Sequence, residues 1–215
     1  MRFIDYINQF DRRLIFPWMY NIAIRLTGYT ESEIYRSPQK QLEAARVMDE
    51  YFGADFVYPL DDGAVIRETV ALQLMGTDCD FAFQTEPFIT CMEDLLRYKI
   101  PDPYLDIRMA TNLESFRLIS ESSIKPLAIS VPGPITVACE LMEISDFARA
   151  TIRDPQLVNA LVDFSTETIL RYCKAVTEAG VKLLCISEPT AIIFSPKTFE
   201  ALISPNLRRS TQEMF

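Results

Sequence analysis

The strongest constraint on the fold is an alternation of sharply bounded helical segments with short apolar runs. In the first helical segment Ser37 stands at the N-cap, Pro38 at the first helical position and Gly53 just past the end. The apolar run ADFVYPL follows at once. The pattern predicts a helix over 37–52 and then a strand.

A second segment repeats this order. A long helix is predicted with Asp154 at its N-cap, Pro155 at its first position and Gly180 just past its end. The run VKLLCIS follows it. This run is almost continuously apolar, as in strands that are covered on both faces. It is therefore predicted to be a buried strand.

Two further stretches extend the alternation. KPLAISV is predicted to be a strand, followed by the turn PGP and a helix from Ile135; Ser195 and Pro196 open another helix through KTFEALI. Helices that alternate with buried strands indicate an α/β protein with a parallel sheet and helical crossovers. Three or four strands are too few for a closed (β/α)8 barrel, so the sheet is either small and open or part of a larger barrel.

Residues 77–112 fit this alternation less well. DCDFAFQTEPF is predicted to hold a short strand or hairpin, and LRYKIPDPYLDIR is loop-like. A stretch of this inserted character is typical of a lid or rim over the strand ends.

Composition excludes several kinds of chemistry. The 215 residues include 21 Lys and Arg against 30 Asp and Glu, and the net charge of −9 argues against a nucleic-acid partner. There is no histidine, so neither a Ser-His triad nor a histidine-containing zinc site can be built from these residues. Any chemistry depends on carboxylates, Tyr, Arg, Lys or a cofactor.

The N-terminal region and the cysteines predict a cytoplasmic protein. MRFIDYINQFDRR has no signal-peptide core, and LIFPWMYNIAI is too short to span a bilayer and contains Pro17. The five cysteines are odd in number, scattered and set among apolar residues, which predicts reduced, buried thiols rather than disulfides. They are Cys79, Cys91, Cys139, Cys173 and Cys185.

Acids follow two of the predicted strands. Asp61 and Asp62 come after the first strand and Glu188 comes after the last. Ligands in parallel α/β folds bind at the carboxyl ends of the strands, where the loops converge. We therefore expect Asp61, Asp62 and Glu188 to be catalytic residues on one rim. The alternative is that each acid only caps a helix or forms a turn.

The turn after the middle strand is a candidate binding element. Gly133 lies between prolines and is expected to let the backbone approach a ligand, while the helix that follows would offer N–H groups to an anion or a carbonyl. The alternative is a simple tight turn. Tyr58, Arg67, Arg108 and Arg117 could serve a carboxylate-rich substrate, although such residues most often lie on solvated faces.

Four stretches of the chain are similar, in order and spacing, to the uroporphyrinogen decarboxylase superfamily. They are FGADFVYPLDDGAVIRETVALQLMG, ISVPGPITVACELM, RDPQLVNALVDFSTETILRYCKAVTEAGVKLLCISEPTAI and FSPKTFEALISPNLRR. The superfamily includes corrinoid-dependent methyltransferases of the methylcobamide:coenzyme M type. The resemblance, from about Ser37 to Arg209, implies a TIM-type (β/α)8 barrel, of which residues 1–215 form a single, incomplete N-terminal domain.

The resemblance implies roles for individual residues. Asp61 or Asp62 resembles the acid that faces the substrate in the decarboxylases. Glu68 resembles an acid of the methyltransferase branch and is expected to bind substrate. Gly133 and Pro134 resemble the glycine-proline turn that lines the pocket.

The resemblance favours the methyltransferase branch. The decarboxylases carry an arginine-rich signature, similar to M-R-Q-A-G-R, that clamps the porphyrinogen carboxylates; the comparable stretch here is PWMYNIAIRLTGY, in which Arg25 is the one arginine. Glu188 stands where the family usually has Asp. The zinc ligands of the methyltransferases, a His-x-Cys pair and a later Cys, have their usual place beyond Phe215, so zinc is expected only if a further C-terminal part supplies them.

The function that the resemblance implies is transfer of a methyl group between a corrinoid and a thiol or pterin acceptor. The corrinoid would be carried by a partner protein. Two alternatives stay open: cofactor-free decarboxylation of a tetrapyrrole carboxylate, and an inactive truncated chain that acts only in assembly. A partial barrel leaves a parallel strand edge open, which predicts a homo-oligomer.

Overall fold

The computed structural model describes residues 3–16, 22–60, 62–75 and 87–213. Within these ranges the regular elements up to residue 122 are helices: α1 (Phe3–Ile7), α2 (Ile22–Thr27), α3 (Glu31–Tyr35), α4 (Pro38–Phe52), α5 (Val65–Met75), α6 (Met92–Leu95) and α7 (Ile107–Ser122). Strands and helices then alternate: β1 (Ala128–Pro132), α8 (Pro134–Met142), α9 (Ile144–Arg153), α10 (Pro155–Glu178) and β2 (Leu183–Ser187).

The predicted helix boundaries of α4 and α10 are confirmed. The Ser37 side chain accepts a hydrogen bond from the Lys40 N–H at 3.3 Å, and Gly53 ends the helix in the left-handed conformation with φ of 59°. At α10 the Asp154 carboxylate accepts a hydrogen bond from the Leu157 N–H at 3.1 Å. Local capping chemistry therefore sets both helices.

The described strands β1 and β2 pair in parallel, as predicted. The predicted strand ADFVYPL is wrong in extent, because it is reduced to a single parallel bridge between Val57 and Leu127. The Val57 N–H donates to the Pro126 carbonyl at 3.1 Å, and the Ala128 N–H donates to the Val57 carbonyl at 2.9 Å. The next donor of such a ladder would be residue 59, which is proline and has no N–H, so the pairing stops.

Burial differs between the two strands. Four of the five residues of β1 are buried, whereas all five of β2 are half-buried. The prediction that both faces of VKLLCIS are covered is therefore wrong. Sequence polarity reports what a strand can bury, but the neighbouring elements decide what it does bury.

The segment after β2 confirms the predicted helix and adds a distortion to it. A 3₁₀ turn (Pro189–Ile193) comes first, then α11 (Pro196–Thr198), a π-helical turn (Phe199–Ile203) and α12 (Ser204–Glu213). The Ser195 hydroxyl accepts a hydrogen bond from the Thr198 N–H at 3.2 Å. Ser195 is thus the N-cap that the sequence predicts.

The chain divides into two compact units. The first comprises Met1–Asp62, Ala110–Ser130 and Ala175–Cys185, and the second comprises Gly63–Met109, Val131–Lys174 and Ile186–Phe215. One apolar cluster of the first unit is formed by Ala23, Ile34, Ala44, Met48 and Leu60. A second cluster there is formed by Phe56, Tyr58 and Ala128. A single domain over residues 1–215 stays a prediction.

Part of the region predicted to form a lid or rim lies outside the described residues, namely 76–86, which contain most of DCDFAFQTEPF. LRYKIPDPYLDIR is irregular up to Asp106, as predicted, and α7 then begins at Ile107. The sequence pattern did not reveal α7. The role as a lid or rim stays a prediction.

Four cysteines lie in the described ranges, and all four are free thiols, as predicted. Cys139 and Cys173 are buried, and loss of hydration raises the pKa of each to about 12, so both thiols are neutral and unreactive at ordinary pH. Cys91 and Cys185 are half-buried, which corrects the expectation of complete burial; burial again depends on tertiary neighbours. Cys79 lies outside the described residues.

We find no helix among the described residues that is long and apolar enough to cross a membrane.

Candidate functional site

Glu188 caps helix α8 from a distant part of the chain. Its Oε1 accepts a hydrogen bond from the Ile135 N–H at 2.7 Å, and its Oε2 accepts bonds from the Thr136 N–H at 3.0 Å and the Thr136 hydroxyl at 2.8 Å. These N–H groups belong to the first turn of α8, where the positive end of the helix dipole favours a carboxylate. The side chain that follows β2 is thereby fixed to the helix that follows β1.

Gly133 makes this contact sterically feasible. A Cβ atom at residue 133 would lie 2.3 Å from Cγ, Cδ and Oε1 of Glu188, so any larger residue would force the Glu188 side chain out of this position. The Gly133 N–H also donates to the Ser187 carbonyl at 2.7 Å. Because φ is −81° and ψ is 170°, space rather than backbone strain requires glycine here.

The close approach predicted at Gly133 is present, but the group that approaches is Glu188. Pro134, the first residue of α8, has no N–H, and the N–H groups of Ile135 and Thr136 already bind this carboxylate. An external anion would have to displace it. Roles of Gly133 and Pro134 in substrate binding, and of Glu188 in catalysis, stay predictions.

Glu140 is an acid of α8 that the sequence analysis did not single out. It remains accessible to solvent, yet partial loss of hydration raises the pKa of its carboxyl to about 7; Arg67 opposes this increase and Glu188 adds to it. Loss of hydration also raises the pKa of Glu188, against the three hydrogen bonds that lower it. Arg67, Glu140 and Glu188 therefore form a coupled group of charges in the second unit. A lone acid within the apolar helix PITVACELM was the signal that could have revealed it.

Of the two acids after the first predicted strand, Asp62 belongs to the first unit. Asp61 lies outside the described residues. The Asp62 Oδ2 accepts a hydrogen bond from the Asn112 side-chain amide at 2.8 Å. Tyr58 is 3% exposed and packs edge-on against Phe16, with ring centroids 5.2 Å apart. Catalysis by Asp61 and Asp62 and substrate binding by Tyr58 stay predictions.

Glu68 is engaged in an ion pair of the second unit. The Arg108 Nε donates to Glu68 Oε2 at 2.6 Å, with 9% of the Arg108 side chain and 22% of the Glu68 side chain exposed. An ion pair this well shielded is a structural contact of α5 and α7. Substrate binding by Glu68 stays a prediction that would require this pair to open.

The other arginines differ in their surroundings. Arg117 pairs with Glu114 and Glu121 on the exposed face of its own helix. The Arg67 guanidinium lies 5.6 Å from the centre of the Phe88 ring. Of the described residues, no three His, Cys, Asp or Glu side chains are grouped so that they could hold a metal ion.

Comparison with known proteins decides the family. The model of the family described as uroporphyrinogen decarboxylase (URO-D) matches residues 18–215. The chain belongs to the URO-D family. Because this match extends over most of the chain, the resemblance inferred from the four sequence stretches is confirmed.

Relatives of this URO-D family chain include both of the enzyme types anticipated. Methylcobamide:CoM methyltransferase MtaA of Methanosarcina barkeri is 28% identical over 106 residues, which are 47% of this chain and 31% of the relative. A uroporphyrinogen decarboxylase of Citrifermentans bemidjiense is 28% identical over 174 residues, which are 71% of this chain and 49% of the relative. The chain thus matches about half or less of the length of these relatives.

A solved structure shares the fold. A methyltransferase from Methanosarcina mazei superposes with a TM-score of 0.76 at 22% identity, covering 89% of this chain and 58% of that chain. The URO-D family chain therefore has part of the TIM-barrel fold found in this family. The predicted α/β class, with parallel strands and helical crossovers, is confirmed.

Glu140→Gln is expected to alter the pH dependence of stability in this URO-D family chain. The folded-state pKa of about 7 lies above the ordinary 4.5, so between these values the folded chain binds more protons than the unfolded chain. The stability contributed by the neutral carboxyl is complete below pH 4.5 and is lost as the pH rises through 7. The melting temperature of the wild type should therefore fall relative to that of Glu140→Gln over this interval, followed by circular dichroism.

Glu200→Gln provides a matched control, because Glu200 is also an exposed acid of the second unit. It should leave the pH dependence of the wild-type melting temperature unchanged. Identical pH dependence in the wild type and in Glu140→Gln would contradict the assigned ionisation.

Proposed function

We propose that this chain carries part of the active site of a methyltransferase, which transfers a methyl group between a corrinoid and a thiol or pterin acceptor. The observation that carries the proposal is Glu188, which follows β2 and binds the first turn of α8, the helix that follows β1. Glu140, further along α8, is a second carboxylate whose charge interacts with that of Glu188. Ligands of parallel α/β folds bind at the carboxyl ends of the strands. The likeness to a methylcobamide:CoM methyltransferase supports the choice of reaction.

The reaction requires proton handling that carboxylates can perform. A thiol acceptor has an ordinary pKa of about 8.5 and reacts as the thiolate, so its proton has to pass to a base. A carboxylate whose pKa approaches neutrality accepts such a proton far better than an ordinary one. A carboxylate of this kind can therefore act as the base without a histidine or a metal ion.

The described residues do not fit the zinc site expected of the methyltransferase branch. The sequence contains no histidine, and the described ranges hold no cluster of potential ligands. We therefore derive no step through zinc. The corrinoid enters the proposal as the methyl donor, presented by a partner protein in the cytoplasm.

Methyl transfer can be measured directly. The chain is incubated under anaerobic conditions with methylcobalamin and a series of thiols and reduced pterins, and the methylated acceptor is quantified by mass spectrometry. We expect at least one acceptor to be methylated about tenfold or more above the protein-free rate, a conservative fraction of what acid–base catalysis provides. Repeating the assay with a corrinoid protein as donor tests for the partner.

The absence of any acceptor methylated above the protein-free rate, with either donor, would contradict the proposed function. The uncatalysed mixture and an unrelated acidic protein at equal concentration serve as controls. The expected homo-oligomer is independent of this outcome and stays a prediction.

Decarboxylation is the second candidate, favoured by the decarboxylase relative that matches 71% of this chain. The same preparation can be supplied with uroporphyrinogen and monitored for carbon dioxide. The stretch 17–29 retains a single arginine, Arg25, where the decarboxylase signature needs a carboxylate clamp. We therefore expect no carbon dioxide above background, and sustained release would replace the methyltransferase proposal.

A further inference from the structure

Helix α8 is buried almost completely, with one exception. Eight of its nine residues, all of which the structure describes, are buried, and Glu140 is exposed. The surrounding apolar residues remove part of the hydration of this acid, which disfavours its charged form. Exposure of this residue to solvent distinguishes it from the rest of α8.

The geometry of α8 brings Glu140 towards Glu188. Thr136, which donates two hydrogen bonds to the Glu188 carboxylate, precedes Glu140 by four residues, so both lie on one face, about 6 Å apart along the axis. Side chains in a helix tilt towards its N-terminus. The Glu140 side chain is therefore tilted towards the turn that binds Glu188.

The charges that act on Glu140 come from elements packed against α8. Arg67 of α5 contributes a positive charge, and Glu188 contributes a negative charge from the segment after β2. The neighbouring Cys139 thiol is neutral, since burial and three nearby acids hold its pKa at about 12. Arg67 therefore lowers the pKa of Glu140 and Glu188 raises it.

We propose that Glu140 is the catalytic residue that exchanges a proton with the substrate, and that Glu188 is a positioning residue. Glu188 has both oxygens bound by donors of α8, which fixes the helix and the face that carries Glu140. Glu140 has solvent access, which a proton-exchanging group requires. The pKa of about 7 that its surroundings give it agrees with this role.

This step rests on the methyl transfer proposed above, in which the group that gives up the proton is the thiol acceptor. The acceptor S–H bond breaks and its proton passes to a Glu140 carboxylate oxygen. The sulfur lone pair then forms the S–CH₃ bond, while the electron pair of the cobalt–carbon bond stays with the departing corrinoid. Charge and atoms balance without a further oxidant or reductant.

Direct titration tests the assignment without any activity. The Glu140 carboxyl is followed by carbon-13 NMR in chain labelled at the Glu side-chain carboxyl, with Glu140→Gln identifying the signal. We expect a midpoint near 7. Glu188→Gln should lower that pKa because a negative charge is removed, and Arg67→Gln should raise it because a positive charge is removed. If Glu188→Gln does not fold, the direction of the pKa change in Arg67→Gln still tests the assignment.

A midpoint at the ordinary value of glutamate would overturn the inference, as would unchanged midpoints in the folded charge variants. These outcomes do not depend on whether methyl transfer occurs. If the titration agrees and no acceptor is methylated by the wild type, the proposed function fails and the proton-exchanging carboxyl remains.

The kinetic test separates catalysis from structure. With an active acceptor, Glu140→Gln should lower kcat about 100-fold and leave KM within about twofold, because a general base acts in the transition state. The wild-type kcat should rise with pH around 7, and this dependence should vanish in the variant. Glu200→Gln is the control. An unchanged kcat and pH profile in Glu140→Gln would overturn the catalytic role.

Discussion

Gly133→Ala is expected to lower the free energy of unfolding by about 2 to 3 kcal/mol, measured by urea denaturation. The new Cβ would lie 2.3 Å from the Glu188 side chain, so that side chain has to leave the first turn of α8. Three hydrogen bonds to a carboxylate are then lost. The N–H groups of Ile135 and Thr136 lose their partner at the same time.

Two comparisons isolate the steric cause. Gly63→Ala is the matched control, since a Cβ there has nothing within 4 Å, and its effect should stay within about 0.5 kcal/mol. In a double-mutant cycle, Gly133→Ala should cost much less on a Glu188→Ala background, where the clashing side chain is absent. If the losses of unfolding free energy from the two substitutions simply add, the close contact between Gly133 and the Glu188 side chain does not exist in solution.

Arg108→Ala is expected to lower the free energy of unfolding by about 3 kcal/mol, because it leaves Glu68 as a shielded carboxylate without its ion-pair partner. The Nε to Oε2 distance is 2.6 Å, and the two side chains are 9% and 22% exposed. The stem of Arg108, which is itself buried, also loses packing. Urea denaturation of both proteins at pH 7 measures the difference.

Arg117→Ala is the control for this pair. Arg117 binds Glu114 and Glu121 with 47% of its side chain exposed, so its removal should cost about 0.5 kcal/mol, as for other surface pairs. Equal losses for Arg108→Ala and Arg117→Ala would mean that shielding adds nothing. Glu68 would then be as available to a substrate as the sequence resemblance implies.

The parts of the fold that depend on local chemistry were predictable. Ser37, Gly53, Asp154 and Ser195 set helix ends through their own hydrogen bonds or conformations, and these are properties of short stretches. The pairing and burial of the strands were less predictable. Val57 forms a single bridge where a strand was predicted, and β2 is half-buried where complete burial was predicted. Both depend on which neighbours lie alongside a strand, and sequence periodicity does not encode that.

The candidate site was predicted in part. Gly133 and Glu188 were singled out correctly as close to the carboxyl ends of strands, but their mutual contact was not foreseen, because it joins two turns far apart in the chain. Glu140 was missed since its environment depends on Arg67 and Glu188, which only folding brings near. Its four-residue spacing from Thr136 was visible in the sequence and could have raised the question.

The close contact between Gly133 and the Glu188 side chain couples the evolution of two positions that are far apart in the sequence. Relatives that carry a larger amino acid in the turn can accommodate its Cβ only if the acid after the second strand becomes shorter, as with aspartate, or disappears. A larger residue at position 133 alone would be selected against, whereas the same change together with a shorter acid at position 188 would cost less. A graft of this turn and its helix into another barrel would leave the Ile135 and Thr136 N–H groups without their acceptor unless the acid is grafted as well.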